Sequence, residues 1–87
     1  MRIAVTNPNT TAKMTARIAA AARSVVSPGT DIVGLNPALG PEDIEGPFDG
    51  ALSVPQLLKA IAGEQAAAAD AYVLACFDDT GLDAARA

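Results

Sequence analysis

Cys76 is the only cysteine among 87 residues, and it is the side chain best suited to act as a nucleophile or soft base. It closes the apolar run Ala71-Tyr72-Val73-Leu74-Ala75-Cys76 and precedes Phe77-Asp78-Asp79-Thr80-Gly81. A thiol at a strand end shortly before a helix meets free backbone N–H groups and the positive end of the helix dipole, and both favour an anion. A thiolate so placed attacks an electrophile or removes an acidic C–H proton. The residue fits a buried structural role equally well in type, because free cysteine is among the most buried residues. A second polar constellation lies near the start of the chain, in Asn7-Pro8-Asn9-Thr10-Thr11. Its amides and hydroxyls suit a carboxylate or imide at a helix N-terminus, and they also suit turn formation and helix capping. Asp78 and Asp79 offer a general acid/base or a metal pair. Adjacent side chains diverge, however, and two acids at the start of a helix are accounted for by the dipole alone.

The chemistry that remains is narrowed by what is missing. The chain has no histidine, which excludes Ser-His-Asp and Cys-His catalysis and every histidine-containing zinc site. One cysteine excludes an intrachain disulfide framework. Neither G-x-G-x-x-G nor G-x-x-x-x-G-K-[ST] occurs, so dinucleotide and P-loop readings fail. A net charge of −4 argues against a nucleic-acid partner. No run reaches the roughly 18 apolar residues of a membrane helix, and no basic-then-apolar leader opens the chain. An unpaired thiol points to the cytoplasm.

The elements that must position these groups follow from the punctuation of the chain. Arg2 to Thr6 is a short β-compatible run, broken by Asn7-Pro8-Asn9. A helix is predicted from about Ala12 to Val25, with Thr10 or Thr11 as its cap and Met14, Ile18, Ala21, Ala22 and Val25 on one face. Ser27-Pro28-Gly29 ends it. Asp31 to Leu35 is a second strand, broken by Asn36-Pro37 as Asn7-Pro8 broke the first. A loop from Ala38 to Pro47 leads to a second helix, Phe48 to Ala62, with Phe48, Ala51, Leu52, Leu58 and Ile61 on one face. Pro55 marks either a kink or a fresh start capped by Ser53. The stretch from Glu64 to Ala69 is compatible with further helix. Ala71 to Cys76 is a third strand whose unbroken apolar run predicts cover on both faces. Thr80-x-x-Asp83 resembles a capping box for a third helix.

The order β-α-β-α-β-α predicts an α/β fold with a parallel sheet and right-handed crossovers. Ligands in such sheets bind beyond the carboxyl ends of the strands, so the segments beginning at Asn7, Asn36 and Cys76 are expected to meet there. Nearly half of the 51% hydrophobic fraction is alanine, which favours helix but buries little area. So thin a core, and a third helix that stops at Ala87 with no C-cap, lead to the expectation of a truncated longer protein.

The chain resembles the Asp/Glu/hydantoin racemase family, most closely its hydantoin and allantoin racemase branch. The resemblance rests on Ile3 to Thr10 (IAVTNPNT), Met14-Thr15, Ser27-Pro28-Gly29-Thr30, Asn36-Pro37, Gly40-Pro41, Ile44-Glu45-Gly46, Tyr72 to Asp79, and Gly81 to Arg86. It implies a fold of two similar α/β lobes with the substrate between them and no metal, pyridoxal phosphate, nucleotide or other cofactor. Two cysteines, one per lobe, would flank the stereocentre, one removing a proton and the other returning it to the opposite face. On this resemblance Cys76 matches the first-lobe catalytic cysteine. Asn7, Asn9 and Thr10 match the substrate-holding asparagine segment, and Phe77 and Asp78 match the loop that cradles the substrate.

The departures are as informative as the matches. The second cysteine and the second lobe are absent, so residues 1–87 are expected to be a partial N-terminal lobe, inactive unless another polypeptide completes the site. Thr80 stands where relatives often carry proline, and Pro47-Phe48 replaces a more polar or aromatic pair. The resemblance implies a small-molecule partner (a hydantoin, allantoin or amino-acid derivative) and a homo-oligomeric full-length parent, with no membrane partner. Decarboxylation or cis–trans isomerisation on the same superfamily fold is the alternative chemistry. A non-catalytic α/β binding module with a buried Cys76 is the alternative class.

Overall fold

Arg2 to Thr6 forms β1 (Arg2–Thr6), a strand rich in β-branched residues that becomes buried toward its carboxyl end. It is the centre of a three-stranded parallel sheet, seen in a computed structural model that describes residues 1–63, 68–76 and 78–87. On one side lies β2 (Asp31–Leu35), with Ile3 opposite Ile32 and Thr6 opposite Leu35. On the other lies β3 (Ala71–Leu74), with Ile3 opposite Ala71 and Thr6 opposite Leu74. The helices are α1 (Ala12–Arg23), α2 (Pro47–Ala62) and α3 (Leu82–Arg86). The expected βαβαβα order and parallel α/β class are both observed. The sheet order β2-β1-β3 means that the chain steps to one side of β1 and then crosses back over it. A switch point therefore lies between the carboxyl ends of β1 and β3.

α1 covers one face of the sheet. Val5, Ala19 and Ile32 form the buried cluster there, with Ile3, Ile18, Ala22 and Val26 packed around it. The helix is rotated from the face predicted by its larger residues: Thr15 and Ala19 are buried, while Met14 is 40% and Val25 82% exposed. The cause is a close approach to β2 at Gly34. A Cβ at that position would lie 3.1 Å from Thr15 Cγ2 and 3.4 Å from Ala19 Cβ. Small residues on the helix meet a missing side chain on the strand, and this decides which stripe turns inward. The helix also stops at Arg23, short of Val25. There Arg23 Nη2 donates to the Ile32 carbonyl at 3.0 Å and ties the helix end to β2.

α2 passes through Pro55 as one helix, so Ser53 is not a cap. Its hydroxyl donates to the Gly50 carbonyl at 2.8 Å, and the residue is fully buried. Pro47 rather than Phe48 is the first helical residue, a position where a missing N–H costs nothing. The buried stripe is Ser53 and Leu57, whereas Phe48 (76%) and Leu52 (51%), both expected inside, are exposed. The right-handed crossover from β2 to β3 places α2 on the face opposite α1. On that face Ala4 and Leu35 are buried, flanked by Val33 and Ala69. β3 is shorter than the apolar run predicted, ending at Leu74, and is not covered on both faces. Tyr72 and Val73 alternate sides of an edge strand and both are exposed, because among the described residues β3 pairs only with β1. The helix considered over 64–69 falls largely outside the described residues.

The tight α1–β2 contact makes a checkable demand. Gly34→Val is expected to lower stability by about 1–3 kcal/mol through overpacking against Thr15 and Ala19, read as a shift in the urea midpoint with an unchanged slope.

Candidate active site

The carboxyl ends of β1 and β3 open into a cavity of about 430 Å³. Asn7, Pro8 and Asn9 line it from the end of β1, and Ala75 and Cys76 from the end of β3. Met14 of α1 and the loop residues Asp43, Ile44 and Glu45 complete the wall. Backbone bonds continue the ladder past the strand ends: Ala75 N donates to the Thr6 carbonyl at 2.9 Å and holds the end of β3 to β1, and Asn7 N donates to the Leu35 carbonyl at 2.8 Å and holds the end of β1 to β2. The loop is drawn to the same place by Thr10 N, which donates to the Pro41 carbonyl at 3.0 Å, and by the Thr11 hydroxyl, which donates to the Glu42 carbonyl at 2.9 Å. This location at a switch point is where open parallel sheets hold ligands.

The asparagine segment is a hydrogen-bonded unit. Asn7 is 1% exposed. Its Oδ1 accepts from Asn9 N at 3.3 Å, and its Nδ2 donates to Asn9 Oδ1 at 2.8 Å and Thr15 Oγ1 at 3.2 Å. Asn9 Oδ1 also accepts from Thr11 N at 2.9 Å, an Asx turn that leads the chain into α1, while the side-chain cap expected of Thr10 or Thr11 does not form. Thr11 is the boundary residue of α1 but makes no side-chain cap. Asn9 Nδ2 lies 3.4 Å from Met14 Sδ, the residue that the rotation of α1 turned out of the core.

Cys76 is half-buried, with Sγ 3.4 Å from Thr80 Oγ1. The turn between them is closed by Asp79 N donating to the Cys76 carbonyl at 3.0 Å, with Asp79 at φ 53°. Gly81, at φ 79°, begins α3 without a side-chain cap, so the Thr80-x-x-Asp83 capping box does not form. The Thr80 hydroxyl faces the thiol instead. Gly81 is packed tightly on α2, since a Cβ there would lie 2.7 Å from Leu57 Cδ2.

The structure thus brings Asn7, Asn9 and Cys76 to one cavity. Thr10 contributes through its backbone and lies outside the lining, and Asp78 is exposed and also outside it. Phe77 lies outside the described residues. Asn36-Pro37, expected at the same place, borders other surfaces across β1, where Asn36 Nδ2 donates to the Pro37 carbonyl at 3.0 Å. Met14 and the 43–45 loop are lining residues that the sequence reading did not assign to the site. The loop was marked by the Ile44-Glu45-Gly46 match, but spacing carries no sign that it folds back over β1.

A switch-point cavity between parallel strands, with a thiol at one strand end and paired amides at the other, defines the class as a parallel α/β protein with a candidate site at its strand ends. A model of the Asp/Glu/Hydantoin racemase family matches residues 3–87, and the chain belongs to that family. It is 47% identical over 87 residues to a hydantoin racemase of Paenarthrobacter aurescens, covering 99% of this chain and 37% of that protein. It is 48% identical over 86 residues to a hydantoin racemase of Rhizobium meliloti, covering 99% and 36% respectively. Among solved structures, an allantoin racemase from Klebsiella pneumoniae superposes with a TM-score of 0.91 at 45% identity, over 99% of this chain and 35% of that one. An allantoin racemase from Pseudomonas fluorescens superposes at 0.90 and 41%, over 99% and 36%. The chain spans little more than a third of the length of these relatives. No helix among the described residues is long and apolar enough to cross a membrane.

The packing of Gly81 links stability to the thiol. Gly81→Ala combines an unfavourable left-handed backbone with a clash on Leu57, and is expected to cost about 1–3 kcal/mol. The same variant is expected to loosen the 76–80 turn and speed alkylation of Cys76 by iodoacetamide, followed by mass spectrometry.

Proposed function

We propose that this chain is the first lobe of a cofactor-independent racemase that acts on a 5-substituted hydantoin or allantoin. Cys76 supplies one of two opposed acid/base groups. The observation that carries the proposal is the convergence of Cys76 with Asn7 and Asn9 on one switch-point cavity. The names of the relatives support the substrate class, since those cited are racemases of hydantoin or allantoin.

The chemistry follows from the stereocentre. The Cys76 thiolate takes the proton from the ring carbon, forming an S–H bond as the C–H bond breaks. The electron pair moves into the adjacent carbonyl, and the planar enolate is stabilised by donors aimed at its oxygen. A thiol on the opposite face, from a second lobe, then protonates the carbon and is left as thiolate. One lobe holds one face only, so residues 1–87 alone are expected not to racemise substrate. Asp43 and Glu45 line the cavity without a cation among the described lining residues. A free amino-acid carboxylate would be repelled there, whereas an uncharged ureide ring is not. The exposed Phe48 and Leu52 of α2 offer apolar surface to the assembly of a homo-oligomeric whole protein in the cytoplasm.

Two measurements test this reading. In the two-lobed protein that carries this chain, Cys76→Ser is expected to abolish both racemisation of a 5-alkylhydantoin and exchange of its ring hydrogen with D2O; unchanged turnover would falsify the assignment. Alkylation of Cys76 is expected to be slowed by saturating hydantoin. A thiol that the ligand leaves unprotected would instead favour a binding module with a structural cysteine.

A further inference from the structure

The two asparagines of the site differ in what they can still offer a ligand. Each carboxamide is oriented by a backbone donor, and a backbone N–H accepts no substitute for an oxygen. Thr11 N points at Asn9 Oδ1, and Asn9 N points at Asn7 Oδ1. The oxygen of each side chain is therefore turned into the protein and its NH₂ lies on the other edge. Asn7 uses its NH₂ internally, on Asn9 Oδ1 at 2.8 Å and Thr15 Oγ1 at 3.2 Å. Asn9 does not. Its Oδ1 accepts twice, from Asn7 and Thr11, and among the described residues its Nδ2 meets only the weakly accepting Met14 Sδ, at the cavity wall. One N–H of Asn9 remains for a ligand. Thr15 anchors the other end, accepting from Asn7 Nδ2 and donating to the Thr11 carbonyl at 3.4 Å.

We propose that Thr15 and Asn7 are positioning residues that lock Asn9 as an obligate hydrogen-bond donor to a carbonyl oxygen of the substrate. The inference rests on the racemase reading and deepens it. It separates two residues of one motif into a support and a contact, and adds a third from α1 that touches no ligand. The ligand group opposite Asn9 must be an acceptor, so a ring carbonyl fits and a ring N–H does not. A donor held in this way gains strength as negative charge develops on that oxygen, so its loss falls on kcat more than on KM.

The roles of Thr15 can be separated, because its hydroxyl serves Asn7 and its methyl packs at Gly34, with Cγ2 3.1 Å from where a Cβ there would stand. In the two-lobed protein with a 5-alkylhydantoin as substrate, Thr15→Val keeps the methyl and removes the hydroxyl, and is expected to lower kcat/KM about tenfold, mainly through kcat. Thr15→Ser restores the hydroxyl and is expected to rescue kcat/KM to within about threefold while lowering Tm. The reverse pattern, with Thr15→Val active and Thr15→Ser impaired, would show that Thr15 matters only for packing and would overturn the inference. Asn9→Asp keeps the inward acceptor and exchanges the outward N–H for an oxygen. It is expected to fold and to lose at least about a hundredfold in kcat/KM, and wild-type kcat/KM in this variant overturns the inference even if Thr15→Val fails to fold. Cys76→Ser, run in parallel, keeps the two proposals apart. An inactive Cys76→Ser beside an unaffected Thr15→Val and Asn9→Asp removes this inference and leaves the racemase reading standing.

Discussion

The side chain of Asn7 is the constraint from which the rest of the site is built. It is almost wholly buried, and every polar atom it carries is satisfied. Its backbone N–H extends the pairing of β1 with β2, its Oδ1 holds the turn at Asn9, and its Nδ2 reaches Asn9 and α1. A buried carboxamide left without partners costs about 1–3 kcal/mol per orphaned group. The turn, the strand end and the helix start are thus bound to one geometry. With the turn set, Thr10 and Thr11 are placed to recruit the loop that bears Asp43, Ile44 and Glu45.

The sheet order supplies the other half. Because β2 and β3 lie on opposite sides of β1, the connections leaving β1 and β3 diverge to opposite faces and leave a crevice between them. Cys76 and the asparagine segment lie far apart in sequence and meet only there. The arrangement gathers a thiol, two amides and two carboxylates on the wall of one cavity. Under the proposed racemase function such a wall would serve one face of the substrate, because inversion at a carbon requires a proton on each face. The relatives' chains are nearly three times as long as the portion matched here.

Much of the fold was legible in the residue order. The boundaries of β1 and β2 and the βαβαβα alternation follow from β-branched runs cut by Asn-Pro pairs. The phases of the helices were not legible. α1 is half alanine, so its hydrophobic period is faint, and α2 carries large apolar residues on more than one side; Ile18, Ala22, Leu58 and Ile61 of the predicted faces are partly buried, but the largest side chains misplaced the centre of each stripe. Thr15, Ala19, Ser53 and Leu57 turned inward instead, with Met14, Phe48 and Leu52 outward. Closeness of approach was decisive at α1, where the absent side chain of Gly34 admits a threonine and an alanine that a larger residue could not replace. Thr80 and Asp83 read as a capping box, yet Gly81 in the left-handed region starts α3 and frees the Thr80 hydroxyl to face Cys76.

The sequence by itself determined the class of the fold, the family, and the two strand-end segments that line the cavity, because strand breaks, a lone thiol and an NPNT turn are local features. Only the tertiary structure decided which groups share the cavity and what each can do there. The 43–45 loop enters through contacts distant in sequence, Met14 enters through the phase of α1, and Thr10 and Asp78 fall outside the lining. Asn7 and Asn9 are chemically identical, and they differ only in which of their atoms the folded chain has already occupied.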